Sequence, residues 1–153
     1  MVNKLEVAWT LATVGLIAGV AVYSTFLLYH IDTPPKHIDE YVNVIGHQWY
    51  WEFCYPANGT CANSTYDAAN NTVSGGAMWV EPNSEVEINV TSTDVIHSFN
   101  IPGLGIRLDA IPGRSNSIAF SIPNAAAGTQ YLVQCTEFCG QYHGTMRSFV
   151  VVV

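Results

Sequence analysis

The feature that most constrains this sequence is the run Val7 to Tyr29, 23 residues without a charged side chain. As a helix at 1.5 Å per residue it spans about 35 Å, enough to cross a hydrocarbon core of about 30 Å with some tilt. A cleaved signal peptide is the rival reading. Its apolar core runs only about 7–15 residues, with a positive flank and a small-residue cleavage site. Here Lys4 and the amino terminus are the only positive charges on that flank, and no convincing cleavage site precedes Pro34-Pro35. A retained membrane anchor is therefore expected over residues 1–30. Ala8, Ala12, Gly15 and Gly19 share one helical face. The last two form a G-x-x-x-G, which lets another membrane helix approach closely, although small residues are common in such helices. The inside-positive rule favours a cytoplasmic amino terminus and an external domain. Residues 31–40 read as a linker. Asp32-Thr33-Pro34-Pro35 ends the helix because proline cannot continue it, and His30 and His37 read as interfacial or solvated.

Beyond residue 41 the periodicity changes to strands. Tyr41 to Tyr55 is rich in β-formers. Short runs follow at Ala77–Val80, Glu85–Thr91, Ile96–Ile101, Ile106–Ala110, Ser117–Ile122, Gln130–Gln134 and Arg147–Val153, with Gly, Pro, Asn and Ser between them. Glu85 to Thr91 alternates polar and apolar residues, the mark of a half-buried strand. Several short strands with turn signals predict an all-β sandwich or barrel over residues 41–153. The polar stretch Pro56 to Gly76 reads as a surface loop or a loose hairpin. Charged residues are only 11% of the chain, against roughly 25% in ordinary soluble domains. Four N-x-[ST] sequons begin at Asn58, Asn63, Asn70 and Asn89. Each is weak alone, but with the low charge they point to an extracytoplasmic domain. Five Lys and Arg in all exclude a basic nucleic-acid surface.

The chemistry concentrates in Cys135-Thr136-Glu137-Phe138-Cys139-Gly140-Gln141-Tyr142-His143-Gly144-Thr145-Met146, spaced C-x3-C-x3-H-x2-M. Thiolate and thioether are soft ligands, and imidazole suits copper as well as zinc. Without Cys135, and with a second His from elsewhere, the set would be that of a mononuclear blue-copper site. With Cys135, two thiolates four residues apart can project from one loop and bridge two metals. His97, 38 residues before Cys135, supplies the second imidazole from another loop at the same end of a sandwich. The expected set is Cys135, Cys139, His97, His143 and Met146, with a backbone carbonyl from the Cys135–Cys139 loop as a further ligand. Five ligands saturate such a site, which favours electron transfer over substrate binding. Sharing one unpaired electron across two bridged coppers keeps bond lengths nearly constant. Structural zinc is the competing reading, but it takes Cys and His in fours and needs no Met.

Four stretches carry a resemblance to subunit II of the haem-copper cytochrome c oxidases, which holds a dinuclear CuA centre. They are Gly46-His47-Gln48-Trp49-Tyr50-Trp51-Glu52, Asp94 to Phe99, Asp109-Ala110-Ile111-Pro112-Gly113-Arg114, and Cys135 to Met146. The resemblance implies a cupredoxin-like Greek-key β-sandwich behind one transmembrane helix. It makes Cys135 and Cys139 bridging thiolates, His97 and His143 terminal imidazoles, Met146 the axial thioether and Glu137 the source of the carbonyl ligand. It also implies that the Glu137 carboxylate reaches a magnesium or manganese ion at the border with subunit I, a hard ion suited to oxygen. Electron entry falls to the aromatic cluster Trp49, Tyr50 and Trp51, with Trp49 the favoured residue; core packing is the plainer reading of the three. Arg107, Asp109 and Arg114 are implied contacts with the partner subunit, against local surface ion pairs. From residue 30 onward eleven acids face four Lys and Arg, a balance that steers a cationic donor.

The sequence departs from the common family pattern in two ways. It shows one membrane helix where many members have two. Cys54 and Cys61 match no copper ligand; they flank a turn-like segment, and in an oxidising compartment they are expected to form a disulfide, the alternative being two free thiols. The resulting expectation is an electron-entry subunit of a terminal oxidase in the cell membrane. It would be single-pass, with its domain outside and in contact with lipid, subunit I and a cytochrome c or small blue-copper donor. The rivals are a CuA carrier of a nitric-oxide reductase and a stand-alone membrane-anchored cupredoxin.

Overall fold

A computed structural model describes residues 3–33, 35–67, 69–70 and 72–153. Met1 and Val2 of the expected anchor, Pro34 of the expected break, and Ala68 and Asn71 of the polar stretch lie outside the described residues. The chain divides into two compact units, residues 1–34 and 35–153.

The first unit is the helix α1 (Lys4–Asp32). Its start is a capping box: the Asn3 side chain accepts from the Leu5 N–H at 3.1 Å, and the Glu6 carboxylate accepts from the Asn3 N–H at 3.4 Å. The hydroxyls of Thr13, Thr25 and Thr33 bond back to the carbonyls of Trp9, Ala21 and Tyr29, so these polar groups are satisfied within the helix. The helix overruns the uncharged stretch at both ends and reaches into the expected linker as far as Asp32. It stops there because Thr33 precedes a proline, which disfavours the helical region, and Thr33 accordingly has φ −74° and ψ 114°. The helix is long and apolar enough to cross a membrane.

The second unit is a sandwich of two sheets. Its strands are β1 (Glu40–His47), β2 (Tyr50–Tyr55), β3 (Thr60–Asp67), β4 (Thr72–Gly75), β5 (Met78–Val80), β6 (Glu85–Ser92), β7 (His97–Ile101), β8 (Ile106–Ala110), β9 (Asn116–Ser121), β10 (Gln130–Cys135) and β11 (Arg147–Val152). One sheet has the order β4-β3-β2-β1-β6-β9 and the other β5-β11-β10-β7-β8. Most neighbours are antiparallel; β1 with β6 and β11 with β5 are parallel. Alternation sets which face is buried: Val42, Val44 and Gly46 on β1 and Val86, Ile88 and Val90 on β6 point inward. They meet Trp51, Phe53, Phe99, Ile101, Val133, Val150 and Val152 in one core. A slip of one residue would turn each apolar set outward, so the register is tightly specified.

The β-forming stretch Tyr41 to Tyr55 holds two strands folded back at Gln48-Trp49. Of the two readings of Pro56 to Gly76 the hairpin holds: two regular strands, β3 and β4, widen the first sheet. The hairpin's side chains are polar because on β3 only Ser64 is buried. Cys54 and Cys61 lie directly opposite each other on β2 and β3 and are joined by a disulfide. Closing so short a loop restricts the unfolded chain by about 2–3 kcal/mol. Replacing both cysteines by Ala is expected to lower the unfolding free energy in urea by that amount. Metal binding at the expected site should be unaffected, because the bond lies at the opposite end of β2 from Trp49.

Candidate metal centre

The donors stand on neighbouring strands of the second sheet. His97 opens β7 and Cys135 closes β10, where Cys135 pairs with Phe99. The chain then loops through Cys139, makes a short 3-10 turn at His143–Thr145, and passes Met146 into β11. Main-chain bonds close this loop. The Cys135 N–H donates to the Met146 carbonyl at 3.1 Å, Thr136 N–H to the Ser98 carbonyl at 3.0 Å, and His143 N–H to the Gly140 carbonyl at 3.1 Å.

The two Sγ atoms are 3.8 Å apart. Cys135 Sγ lies 3.9 Å from His97 Nδ1 and 3.3 Å from the Glu137 carbonyl oxygen. Cys139 Sγ lies 3.5 Å from His143 Nδ1 and 3.9 Å from Met146 Sδ. One thiolate thus carries an imidazole and a carbonyl, the other an imidazole and a thioether. His97, Cys135, Cys139 and Met146 are buried, and donor atoms of the first three all lie within 4.8 Å of one another. Soft sulfur, borderline nitrogen and one carbonyl form a donor set that suits copper. The Glu137 carboxylate is exposed.

A second layer holds the donors, and only part of it was legible beforehand. Asp94 Oδ1 lies 2.8 Å from His97 Nε2, and Asp94 Oδ2 accepts from the Gln48 N–H at 2.7 Å. This is the carboxylate–imidazole arrangement that turns the other ring nitrogen toward a metal. Gly46 sits against the His97 ring, where an added Cβ would come within 2.9 Å of Cδ2. Gly140 has φ +118°, and a Cβ there would meet Gln48 Nε2 and the Trp49 ring at 3.1 Å. The Trp49 indole N–H donates to the Cys139 carbonyl at 3.1 Å, and its ring meets Tyr142 edge-on at 4.8 Å. Asp94 opens the Asp94–Phe99 stretch, but Gln48 and Cys139, which share its network, are far apart in sequence and no local pattern marks them.

Not every expected residue joins the cluster. Trp51 is wholly buried, edge-on to His97 at 5.9 Å and to Phe99 at 5.0 Å. It packs behind the site and cannot meet a docked donor, so direct electron entry does not extend to it. Tyr50 stacks on His47 at 4.5 Å. Arg107, Asp109 and Arg114 are exposed. Asp109 accepts from the Ser98 hydroxyl at 2.8 Å, and Arg107 Nε donates to that same hydroxyl at 3.2 Å.

Electrostatics in the metal-free chain follow from this packing. Burial raises the Cys135 thiol, but hydrogen bonding to His97, to the backbone at Ser98 and Glu137 and to Cys139 outweighs it and brings it down to about 7. Burial and the negative charge on Cys135 push Cys139 up to about 12. The pair therefore shares one proton near neutrality, and a metal bound by both sulfurs must displace it. Burial also raises Asp94, yet bonds from His97 and from the Val95 and Gln48 N–H groups hold it below the usual carboxylate value. Burial lowers His97, yet its bonds to Cys135 and Asp94 hold it above its usual value.

The signs give a pH window. A depressed carboxyl stabilises the fold above its unfolded value, and that contribution is lost as pH falls through the folded one. A raised imidazole stabilises below its unfolded value and loses the contribution as pH rises through the folded one. The Asp94–His97 pair should contribute most between about pH 4 and about 6.5. Thermal melts of the metal-free chain should show Asp94→Asn less stable than wild type in that window, with the two curves converging below about pH 4. A constant offset at every pH would contradict this.

Comparisons with known proteins agree with one another. The family model described as "Cytochrome C oxidase subunit II, periplasmic domain" matches residues 41–153. The protein named "Probable cytochrome c oxidase subunit 2" of Rickettsia conorii is 30% identical, over 97% of this chain and 49% of its own length. The cytochrome c oxidase subunit 2 of Cyanidium caldarium is 35% identical over 97% of this chain and 62% of its own. The chain spans about half the length of the first curated relatives it matches. Among solved structures, the periplasmic domain of cytochrome oxidase subunit II from Bradyrhizobium japonicum superposes with a TM-score of 0.70. It is 36% identical and covers 79% of this chain and 88% of that one. The sandwich is thus cupredoxin-like.

Proposed function

The chain belongs to the cytochrome c oxidase subunit II family, and from that premise we propose that it is the electron-entry subunit of a terminal oxidase, holding two coppers as a CuA centre. The family implies copper. The observation that carries the dinuclear reading is the pair of sulfurs 3.8 Å apart, each with its own imidazole and its own further donor. Zinc would leave the Met146 thioether without a purpose, since structural zinc takes four Cys or His ligands. When bound, a copper pair supplies one-electron transfer with little change in geometry.

The protein's residues supply the rest. Cys135, Cys139, His97, His143, Met146 and the Glu137 carbonyl would hold the copper pair, each sulfur with its own imidazole and further donor. Asp94 orients His97. The burial of Cys135, Cys139, His97 and Met146 keeps water from the donors. Trp49, half-buried and bonded to the Cys139 carbonyl, gives an incoming electron a path from the surface to a bridging thiolate, with Tyr50 beside it. The domain lies outside the membrane, α1 crosses it with its amino terminus in the cytoplasm, and the excess of acids steers a cationic donor such as cytochrome c, or a small blue-copper protein. Arg107, Asp109 and Arg114 meet the haem-copper catalytic subunit that reduces dioxygen to water. The exposed Glu137 carboxylate would supply an oxygen ligand to a magnesium or manganese ion at that border.

The test is to load the full chain with copper, count the metal and record its paramagnetic resonance spectrum. Two coppers per chain with a seven-line hyperfine pattern are expected, and the native complex should contain haem and take up dioxygen. One copper with four lines, or a silent zinc site, would overturn the dinuclear assignment. Consumption of nitric oxide in place of dioxygen would move the chain to a nitric-oxide reductase.

A further inference from the structure

We infer that Gln48 is a positioning residue, tying the loop of one bridging thiolate to the carboxylate that orients the opposite imidazole before any metal arrives; this rests on the copper reading above. Gln48 lies in the turn between β1 and β2, and its side chain is exposed. An exposed turn position needs no particular side chain, yet this one is committed at both ends. Its main-chain N–H donates to Asp94 Oδ2 at 2.7 Å, and Asp94 Oδ1 lies 2.8 Å from His97 Nε2. Its side-chain Nε2 donates to the Cys139 carbonyl at 2.7 Å. Gly140 leaves room for this approach, since a Cβ there would fall 3.1 Å from Gln48 Nε2.

The ligands stand on the second sheet, and Gln48 belongs to the first. It therefore fixes the Cys139 end of the donor set relative to the His97 end through the far wall of the sandwich. Within the loop, the His143 and Thr145 amides bond to the nearby Gly140 and Tyr142 carbonyls, while the Phe138 side chain is exposed. The Cys139 carbonyl also accepts from the Trp49 indole at 3.1 Å; without the amide tie that single bond would remain, and more of the segment's ordering would fall to metal binding, at a cost in conformational entropy. With it, the donors are already arranged, and the cluster changes shape less when its charge changes.

The test compares Gln48→Leu with Gln130→Leu in the full-length chain. Gln130 is exposed at the opposite end of β10 from Cys135, so it controls for the same chemical change. Leu keeps the main-chain bond to Asp94 and removes the side-chain donor. In the metal-free chain, hydrogen exchange at the His143 and Thr145 amides is expected to accelerate about two- to tenfold in Gln48→Leu, the equivalent of one ordinary hydrogen bond, with a nearly unchanged melting temperature. In the copper-loaded chain the seven-line pattern should broaden. The reduction potential should fall, because the positive end of an N–H dipole has been removed from beside the centre. Gln130→Leu should change none of these. Unaltered exchange in Gln48→Leu, or an equal effect in Gln130→Leu, would overturn the inference. A wild-type chain lacking the seven-line pattern would overturn the copper reading instead, and the exchange rates of the metal-free chain would still decide the tie.

Discussion

Cys135→Ser is expected to reduce the copper content from two atoms per chain to one and to replace the seven-line spectrum with four lines. The expectation follows from how the donors are divided. Cys135 makes the direct contacts to His97 Nδ1 and the Glu137 carbonyl, so its loss strips one metal position of its sulfur. A serine hydroxyl is a hard, poorly ionised substitute for a soft thiolate. Cys139 keeps its contacts with His143 and Met146, and with His97 still nearby the residual set is His, Cys, His and Met, that of a mononuclear blue-copper site. The reverse change should be more damaging. Cys139→Ser removes the sulfur that gathers His143 and Met146, and leaves Cys135 with one imidazole and a carbonyl. Metal analysis with paramagnetic resonance on both variants reads the asymmetry. Two coppers retained in Cys135→Ser would refute the bridging role.

The second large effect is on stability. Trp51→Ala should lower the unfolding free energy by about 3–5 kcal/mol, a large share of the 5–15 kcal/mol typical of a domain. The side chain is fully buried and stands edge-on to both Phe99 and His97, with Phe53 against Phe99 in turn. Removing it opens a cavity in the core and takes away the wall behind His97, a proposed ligand. Trp51→Phe should cost much less. Among the described residues the buried indole nitrogen has no hydrogen-bond partner, so phenylalanine loses packing volume but also removes an unsatisfied polar group. Urea unfolding of the two variants would separate these terms. A cost below about 1 kcal/mol for the alanine would show that the core closes around the gap.

The site was legible in the sequence to the extent that it is local. Cys135 to Met146 puts four donors within one loop, and only His97 had to be brought from elsewhere. The alternation of Glu85 to Thr91 reappears as the strictly alternating burial of β6. The turn at Gln48-Trp49 was hidden because Trp49, Tyr50 and Trp51 continue the β-forming composition across it, with no Gly, Pro, Asn or Asp to mark the reversal. The hairpin of β3 and β4 was readable only as an alternative to a loop, because on β3 only Ser64 is buried and no apolar period marks the strand. The supports of the site were the least visible. Gln48 reaches Asp94 across 46 residues and Cys139 across 91, and no window of sequence contains both ends of such a bond.

The position of β11 has a consequence for biosynthesis. This strand lies between β5 and β10, so its neighbours on both sides wait for residues 147–152 before they can pair with it. The sheet that carries every proposed ligand therefore cannot be completed while the chain is still being made up to that point, although all the donor residues have by then been synthesised. A nascent chain halted just after Met146 would hold every proposed ligand while β5 and β10 still lacked the strand that lies between them.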